Sequence, residues 1–222
     1  MGMLRDLTDV VFDDVDHDLE SGAERLRKAR IKRVIDFTVA VAGLLFILPF
    51  LLLVAALISL DSPGPVLFRQ RRTGYDGVPF VIYKFRTMYV LEDGPNILPA
   101  IRHDGRNTRL GRFLRRSSID ELPQLLNVLR GEMSLVGPRP HAIAHDEFYA
   151  RTVPGYSSRF KAKPGITGLA QITGFRGEIH HTRHIVGRVA RDIEYIRNWS
   201  LALDMRILFR TILIFPFQSS AY

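Results

Sequence analysis

A long apolar segment interrupts the hydrophobicity pattern of the N-terminal third of the chain. It runs from Phe37 to Leu60, 24 residues without a charged side chain, and 16 of them are Leu, Ile, Val or Phe. A straight helix of that length is about 36 Å long, and the hydrocarbon core of a bilayer is about 30 Å thick. The pattern therefore predicts a helix that enters a membrane. The alternative is the buried core helix of a soluble domain.

The flanks and the midpoint of this segment predict that the helix does not cross. Both flanks are basic, "RLRKARIKR" before it and "FRQRR" after it, and positive charge marks the cytoplasmic side of a membrane. Pro49, at the centre, removes a backbone hydrogen bond and clashes with the preceding turn. We therefore predict a re-entrant helix that bends at Pro49 and returns to the cytoplasmic face. A spanning helix with a mild proline kink is the alternative.

Downstream, alternation and turn residues predict a small hairpin followed by helices. The segment "VLFRQRRTGYDGVPFVIYKF" at 66–85 reads as two short strands joined by a Gly-rich turn. Helices are predicted over 108–116, 122–130, 188–199 and 201–217. The last is apolar with two arginines, so it is expected to lie along the membrane interface. Loops are predicted over 91–108, 136–141 and 163–168, and a short helix or a frayed tail over 4–15.

Charge is divided unevenly along the 222 residues. The first 24 residues carry eight acids against Arg5, a net charge of −7, whereas the whole chain carries +8. The remaining body, at +15, favours polyanionic partners: nucleic acid, anionic lipid headgroups or phosphorylated small molecules. The chain has no cysteine, which excludes a disulfide framework and thiol chemistry.

These patterns divide the chain into four parts. They are an acidic arm over 1–30, a re-entrant membrane helix over 31–60, a compact domain over 61–200, and a C-terminal interfacial helix and tail over 201–222. The predicted fold class is α+β and mainly α-helical. We expect a monotopic membrane protein whose cytosolic domain contains a small β-hairpin.

The stretch "RRSSIDELPQLLNVL", residues 115–129, places two adjacent carboxylates after two arginines and two serines. Pro123 belongs in the first turn of a helix, so a helix is predicted to begin shortly before it. Ser118 and Glu121 have the spacing of a capping box. In the simplest interpretation, Asp120 and Glu121 only complement the dipole of this helix.

Neighbouring groups favour a second interpretation, an anion-handling site. Arg115 and Arg116 suit a phosphate clamp, and "KFRT" at 84–87 and "GPRP" at 137–140 add further cations. We expect a carboxylate beside arginines and a helix N-terminus to stay ionised at neutral pH. It can then bind Mg²⁺ or attack phosphorus, and a diphosphate substrate would use both roles.

Three segments carry long motifs: "DSPGPVLFRQRRTGYDGVPFVIYKFRTM", "LGRFLRRSSIDELPQLLNVLRGEMSLVGPRP" and "KPGITGLAQITG". With them the chain resembles the bacterial sugar transferase family, the monotopic polyprenyl-phosphate phosphoglycosyl transferases, from about Arg33 to Thr211. In that family the apolar helix is re-entrant. The resemblance implies an enzyme that uses a UDP-sugar, Mg²⁺ and undecaprenyl phosphate. It also implies a catalytic domain on the cytoplasmic face of the bacterial inner membrane.

The resemblance implies roles for individual residues. Asp120 is the nucleophile of an Asp-Glu dyad: it attacks the sugar-bearing phosphate, releases UMP and holds a phosphosugar that polyprenyl phosphate then takes. The other implied roles are Mg²⁺ binding by Asp120, assistance by Glu121, phosphate binding by Arg115, Arg139, Lys84 and Arg86, and helix breaking by Pro49. Some members have a serine before that proline, where this chain has Leu48.

The segments "GFRGEI" and "DIEYIRNWSLALDMRILFRT" resemble the subgroup of hexose-1-phosphate transferases that begin exopolysaccharide assembly. UDP-glucose is therefore the first choice of donor, and UDP-galactose the second. Membrane lipids are expected partners, nucleic acid is not, and a homodimer is left open.

Other functions compete with this one. They are a non-enzymatic, membrane-anchored scaffold that binds anionic lipid, and a glycosyltransferase that moves only the sugar and releases UDP. The pairs His141/His145 and His180/His184 have a spacing that can bind zinc, but neither has a third ligand in sequence. The segment "GRFLRR" can contact nucleic acid, but the membrane segment and the acid pair argue against that function.

Overall fold

Helices make up most of the fold, which confirms the mainly helical α+β class. The structure, a computed structural model, describes residues 16–89, 104–177 and 182–214. The helices are α1 Asp16–Lys28, α2 Arg30–Asp61, α3 Arg109–Ser117, α4 Leu125–Arg130, α5 Ile143–Thr152, α6 Leu169–Ile172, α7 Thr182–Arg197 and α8 Leu201–Ile214. The strands are β1 Leu67–Thr73, β2 Pro79–Phe85, β3 Ser134–Val136 and β4 Gly165–Thr167, and 3₁₀ helices cover Tyr75–Gly77, Ile119–Gln124 and Tyr156–Lys161.

The predicted hairpin is confirmed. Strands β1 and β2 pair antiparallel with Leu67 opposite Phe85 and Thr73 opposite Pro79. The turn between them places Asp76 and Gly77 at positive φ, a conformation that glycine adopts readily. The alternation of residues and the Gly-rich turn in the sequence therefore predicted both the two strands and the turn between them.

A second sheet was not predicted. Strands β3 and β4 pair parallel, so the expectation of a loop over 163–168 is wrong for Gly165–Thr167. Each strand has three residues, too few for alternation to distinguish a strand from a loop. The pair is largely buried, and it positions the loop that begins at Gly137.

Two apolar clusters form the interior of the described residues. The larger joins α1, β2, α4, β3, α7 and α8 around buried side chains that include Leu19, Ile82, Val128 and Ile207. The second cluster, Val54, Ile58, Phe85 and Leu114, ties the C-terminal half of α2 to β2 and α3. The predicted helix at 4–15, most of the loop at 91–108, and residues 215–217 lie outside the described residues.

Helix α2 contains the predicted membrane segment. It is the one helix within the described ranges that is long and apolar enough to cross a membrane, and 11% of its most apolar window is buried. Such low burial excludes the core helix of a soluble domain as an interpretation. Leu45 and Phe46 are 69% and 87% exposed, and Pro49 lies inside the helix.

Polar contacts fix the first turns of α2 to the domain. The Lys32 ammonium donates to the carboxylate of Asp204 at 2.7 Å. The carboxylate of Asp36 accepts from the Ser134 hydroxyl at 2.7 Å and from the backbone N–H of Leu135 at 3.1 Å. Because buried charges are tolerated only when paired or hydrogen-bonded, this end of the helix belongs to the domain and not to the lipid.

The described part of the acidic arm is a docked helix. Leu19 of α1 is fully buried, and the Arg25 guanidinium donates to the backbone oxygen of Arg197 at 2.7 Å. At Gly22 the backbone of α1 comes close to α7, because a Cβ atom built there would lie 2.3 Å from the carbonyl oxygen of Ile196. Only glycine fits this approach.

We expect Gly22→Ala to lower the thermal unfolding temperature of the detergent-solubilised protein. The added Cβ must push α1 away from α7, and overpacking of this kind costs about 1–3 kcal/mol. Most of this range exceeds the roughly 1 kcal/mol by which alanine favours a helix over glycine. Gly105→Ala is the control, because a Cβ there meets no atom within 4 Å. Equal unfolding temperatures for the two variants would contradict the docking of α1.

Candidate active site

The acid pair lies in a sharp turn between two helices. Helix α3 ends at Ser117, and Ser118 takes a left-handed conformation with φ 54°, so the chain reverses into the 3₁₀ helix that carries Asp120 and Glu121. Both acids are 8% exposed. The two side chains therefore face the interior of the domain, and they are not a solvated helix face.

The predicted capping box is wrong. The Ser118 side chain makes no cap hydrogen bond to the following helix, and its hydroxyl accepts from the guanidinium of Arg176. The Glu121 carboxylate binds cations from other parts of the chain. The helix also begins as a 3₁₀ helix at Ile119, and the α-helical part starts at Leu125.

Glu121 is held by two cations that the sequence places far from it. The Lys84 ammonium, on β2, donates to its Oε1 at 2.7 Å. The Arg139 guanidinium, in the loop after β3, donates to both carboxylate oxygens, one at 3.0 Å. Burial alone would raise the pKa of Glu121, but Arg139 and Lys84 outweigh it and hold that pKa well below its usual value. Glu121 is therefore a fixed anion.

Asp120 has a different environment. No hydrogen bond from the described residues reaches its carboxylate, and burial raises its pKa to about 6, against the opposing charges of Lys84, Arg115 and Arg139. The sequence predicted that Asp120 is ionised at neutral pH, which this pKa allows. That prediction considered only the arginines and the helix N-terminus, which lower the pKa, and missed burial, which raises it. Asp120 is thus a carboxylate that is ionised at pH 7, poorly solvated and free to bond to a ligand.

A buried network supports the loop that carries Arg139. Arg159, 2% exposed, donates to the backbone oxygen of Arg139 at 2.6 Å and to the carboxylate of Asp192 at 2.8 Å. Sequence reasoning missed both Arg159 and Asp192. The available signal was Asp192 itself, an acid on the apolar face of the predicted helix at 188–199.

His141 belongs to this network. Its Nδ1 lies 2.7 Å from the Tyr156 hydroxyl, and its Nε2 lies 3.0 Å from a nitrogen of Arg188. Burial and the surrounding arginines hold its pKa well below the usual value, so the ring is neutral. No three His, Cys, Asp or Glu side chains form a metal-binding group in the described part of the chain, and His180 lies outside it.

The remaining predicted residues divide between the site and its surroundings. Arg115 is half-buried at the end of α3, and its charge opposes the rise that burial causes in the pKa of Asp120. Arg116 is exposed. Arg86 is not brought to the acid pair: its guanidinium is buried and donates to backbone oxygens at the end of α2. Arg176, which the sequence did not single out, lies beside the turn through its contact with Ser118.

Comparison with known proteins identifies the family. The model of the bacterial sugar transferase family matches residues 27–218, and the chain belongs to this family. It is 55% identical over 181 residues to the UDP-glucose:undecaprenyl-phosphate glucose-1-phosphate transferase of Caulobacter vibrioides, covering 82% of this chain and 68% of that protein.

Two further relatives support the same family. A protein of the same name from Escherichia coli K12 is 50% identical over 192 residues, which cover 86% of this chain and 40% of that protein. The exopolysaccharide production protein PSS of Rhizobium leguminosarum is 47% identical over 186 residues, 82% of this chain and 93% of that protein. The chain thus spans from two fifths to nearly all of the length of these three relatives.

We expect Lys84→Met to raise the pKa of Asp120 further above 6. Lys84 is the strongest charge opposing the effect of burial on Asp120, so its removal disfavours the ionised carboxylate. Infrared titration of the protonated carboxyl band, with Asp120→Asn as the subtraction reference, measures the midpoint without an activity assay. Arg69→Met, an exposed cation on β1, should leave it unchanged. A midpoint that stays or falls in Lys84→Met would contradict the described geometry.

Proposed function

We propose that this protein transfers a hexose-1-phosphate, glucose-1-phosphate in the first instance, from a UDP-sugar to undecaprenyl phosphate as the first step of exopolysaccharide assembly. The observation that carries the proposal is the contrast within the acid pair. Glu121 is held by two cations, whereas the buried carboxylate of Asp120 accepts no hydrogen bond from the described residues and lies near the positive charges of Lys84, Arg115 and Arg139. The names of the relatives supply the donor and the acceptor.

The first step uses Asp120 as the nucleophile. A carboxylate oxygen attacks the sugar-bearing phosphorus of the donor, an aspartyl–phosphorus bond forms, and the bond to the bridging oxygen of the diphosphate breaks. UMP leaves with that electron pair. Poor solvation of Asp120 favours the attack, because few interactions with water or protein must be given up before the bond forms.

The second step restores the enzyme. A phosphate oxygen of the polyprenyl phosphate attacks the same phosphorus, and the aspartyl–phosphorus bond breaks. The products are a polyprenyl diphosphosugar and a free Asp120 carboxylate. No proton has to be transferred to a leaving group in either step, which fits a site in which the described ionisable neighbours are cations and one fixed anion.

The surrounding charges have separate roles. Lys84 and Arg139 hold Glu121, and as fixed positive charges that also act on Asp120 they would stabilise the charge of the substrate phosphates. Arg115, at the end of α3, adds a third cation on the Asp120 side. Glu121 keeps the two cations oriented while the donor binds and the products leave. In this way it assists Asp120.

The site suits Mg²⁺ through Asp120 and the substrate together. Mg²⁺ in phosphate sites is commonly bound by one or two carboxylates plus phosphate oxygens and water, and Asp120 offers a carboxylate that no described residue occupies. When bound, the ion would neutralise phosphate charge and polarise the phosphorus towards attack.

We expect Asp120→Asn to abolish UMP release from UDP-glucose, because the amide cannot form the aspartyl–phosphorus bond. Its unfolding temperature at pH 7.5 should equal or exceed that of the unchanged protein. The folded-state pKa of Asp120 lies above its unfolded value, so the ionised carboxylate destabilises the fold above about pH 6 and not below about pH 4. UMP release by the Asp120→Asn variant would refute the assignment of Asp120 as the nucleophile.

The same assay separates the competing functions. Protein in detergent is incubated with Mg²⁺, undecaprenyl phosphate and a panel of UDP-sugars, and the released nucleotide is identified. UMP indicates sugar-phosphate transfer, UDP indicates transfer of the sugar alone, and no nucleotide release with any donor favours a scaffold. The donor with the highest kcat/KM identifies the hexose.

We also propose that α2 is re-entrant, with both ends on the cytoplasmic face. Contacts at both ends support this topology: Lys32 and Asp36 bind the domain at the start of the helix, and Ile58 and Ser62 bind Arg86 at its end. A spanning helix would separate its ends by about 30 Å of hydrocarbon. Pro49 supplies the bend, and exposed apolar residues such as Phe46 enter the lipid.

We expect single cysteines at Arg27→Cys and Val78→Cys to react with a membrane-impermeant thiol reagent from the same face, in inverted membrane vesicles and not in intact spheroplasts. Both positions are exposed, and the chain has no other cysteine. Phe46→Cys is the control for a lipid-covered position. Labelling of the two flanking positions from opposite faces would establish a spanning helix.

A further inference from the structure

Arg86 lies where the membrane helix returns to the domain. The residue is 3% exposed. Its guanidinium donates to the backbone oxygens of Ile58 at 3.4 Å, Ser62 at 2.5 Å and Pro63 at 2.5 Å, and to the Ser62 hydroxyl at 3.1 Å. The last carbonyls of a helix have no partner within it, and α2 has no basic residue in its own last turn. Arg86 therefore supplies the cation that complements this end of the helix dipole.

The segment after the helix is built around this guanidinium. Gly64 has φ +124°, and a Cβ atom there would lie 2.0 Å from a nitrogen of Arg86. The backbone N–H of Arg86 also donates to the carbonyl oxygen of Val66 at 2.9 Å. The segment "DSPGPV" thus contacts both the guanidinium and the backbone N–H of Arg86, and a side chain at position 64 would displace the guanidinium.

Three consecutive residues connect this contact to the acid pair. Lys84 binds Glu121, Phe85 packs in the second cluster with Val54 and Ile58 of α2, and Arg86 binds the end of α2. A strand backbone has few degrees of freedom over three residues. A shift of the membrane helix relative to β2 therefore changes its position relative to the acid pair. This link lies at the C-terminal end of β2.

We propose that Arg86 is a positioning residue for the acceptor step. It fixes the depth and direction of α2 relative to Asp120, so that the phosphate of a bilayer-embedded polyprenyl chain reaches the phosphosugar. The inference rests on the proposed two-step function. The soluble donor reaches Asp120 from water, so the donor step does not depend on where the membrane helix holds the site.

The test separates the two half-reactions in nanodisc-embedded protein. Adduct formation is measured by mass spectrometry with UDP-glucose alone, and transfer is measured after undecaprenyl phosphate is added to the preformed adduct. The variant is Arg86→Lys, because an ammonium cannot reproduce the fork of a guanidinium. Arg69→Lys, an exposed arginine on the same hairpin, is the matched control.

We expect adduct formation by Arg86→Lys to stay within about threefold of the unchanged protein, and transfer to slow by about 10- to 100-fold, because a misplacement of about 1 Å can cost roughly 100-fold in rate. Gly64→Ala should reproduce this pattern, since it displaces the same guanidinium without altering its charge. The control should be unchanged in both steps.

Two results would overturn the inference. Equal losses in both half-reactions, in either variant, would make Arg86 a part of the donor site or of general stability. Unchanged transfer in both variants would show that the contact does not position the acceptor. Failure of the unchanged protein to form an adduct would instead refute the proposed function, because the inference concerns only the ratio of variant to unchanged protein.

Discussion

The clamp of two cations on Glu121 is the interaction on which the rest of the site depends. In a poorly solvated interior, a carboxylate with three charge-assisted hydrogen bonds stays ionised, and breaking a buried pair by removing one partner costs about 3–5 kcal/mol. Lys84 and Arg139 donate hydrogen bonds to Glu121, and in the part of the chain that the structure describes neither cation forms a hydrogen bond with the carboxylate of Asp120. The neighbouring acid is left with burial as its dominant influence, and two adjacent carboxylates acquire pKa values shifted in opposite directions.

Several elements of the domain position the two cations that bind Glu121. The hairpin delivers Lys84 on β2, and the β3–β4 pair delivers the loop of Arg139. The Arg159 guanidinium then donates to the backbone oxygen of Arg139, and the Asp192 carboxylate accepts from Arg159 and fixes it in place. The left-handed turn at Ser118 points both acids inward between these elements. Each cation thus reaches Glu121 from a different part of the chain.

The sequence predicted the features that depend on local pattern or composition. The apolar helix, the hairpin and the association of Lys84, Arg139 and the acid pair follow from hydrophobic runs, turn residues and motifs. The β3–β4 pair did not, because strands of three residues show no period. Nor did the raised pKa of Asp120: adjacent arginines are visible in a sequence, whereas burial is produced by tertiary packing. Arg86 was misplaced because a motif specifies proximity along the chain and not the direction of a side chain.

The contact between Lys32 and Asp204 joins residues 172 positions apart. Because synthesis proceeds from the N-terminus, the apolar part of α2 leaves the ribosome well before α8 does. The ammonium on its first turn also donates to the carbonyl oxygen of Val136 at 3.1 Å, but its carboxylate partner, Asp204, is made only with α8. The complete docking of α2 on the domain therefore requires α8, although α2 precedes α8 by most of the length of the domain.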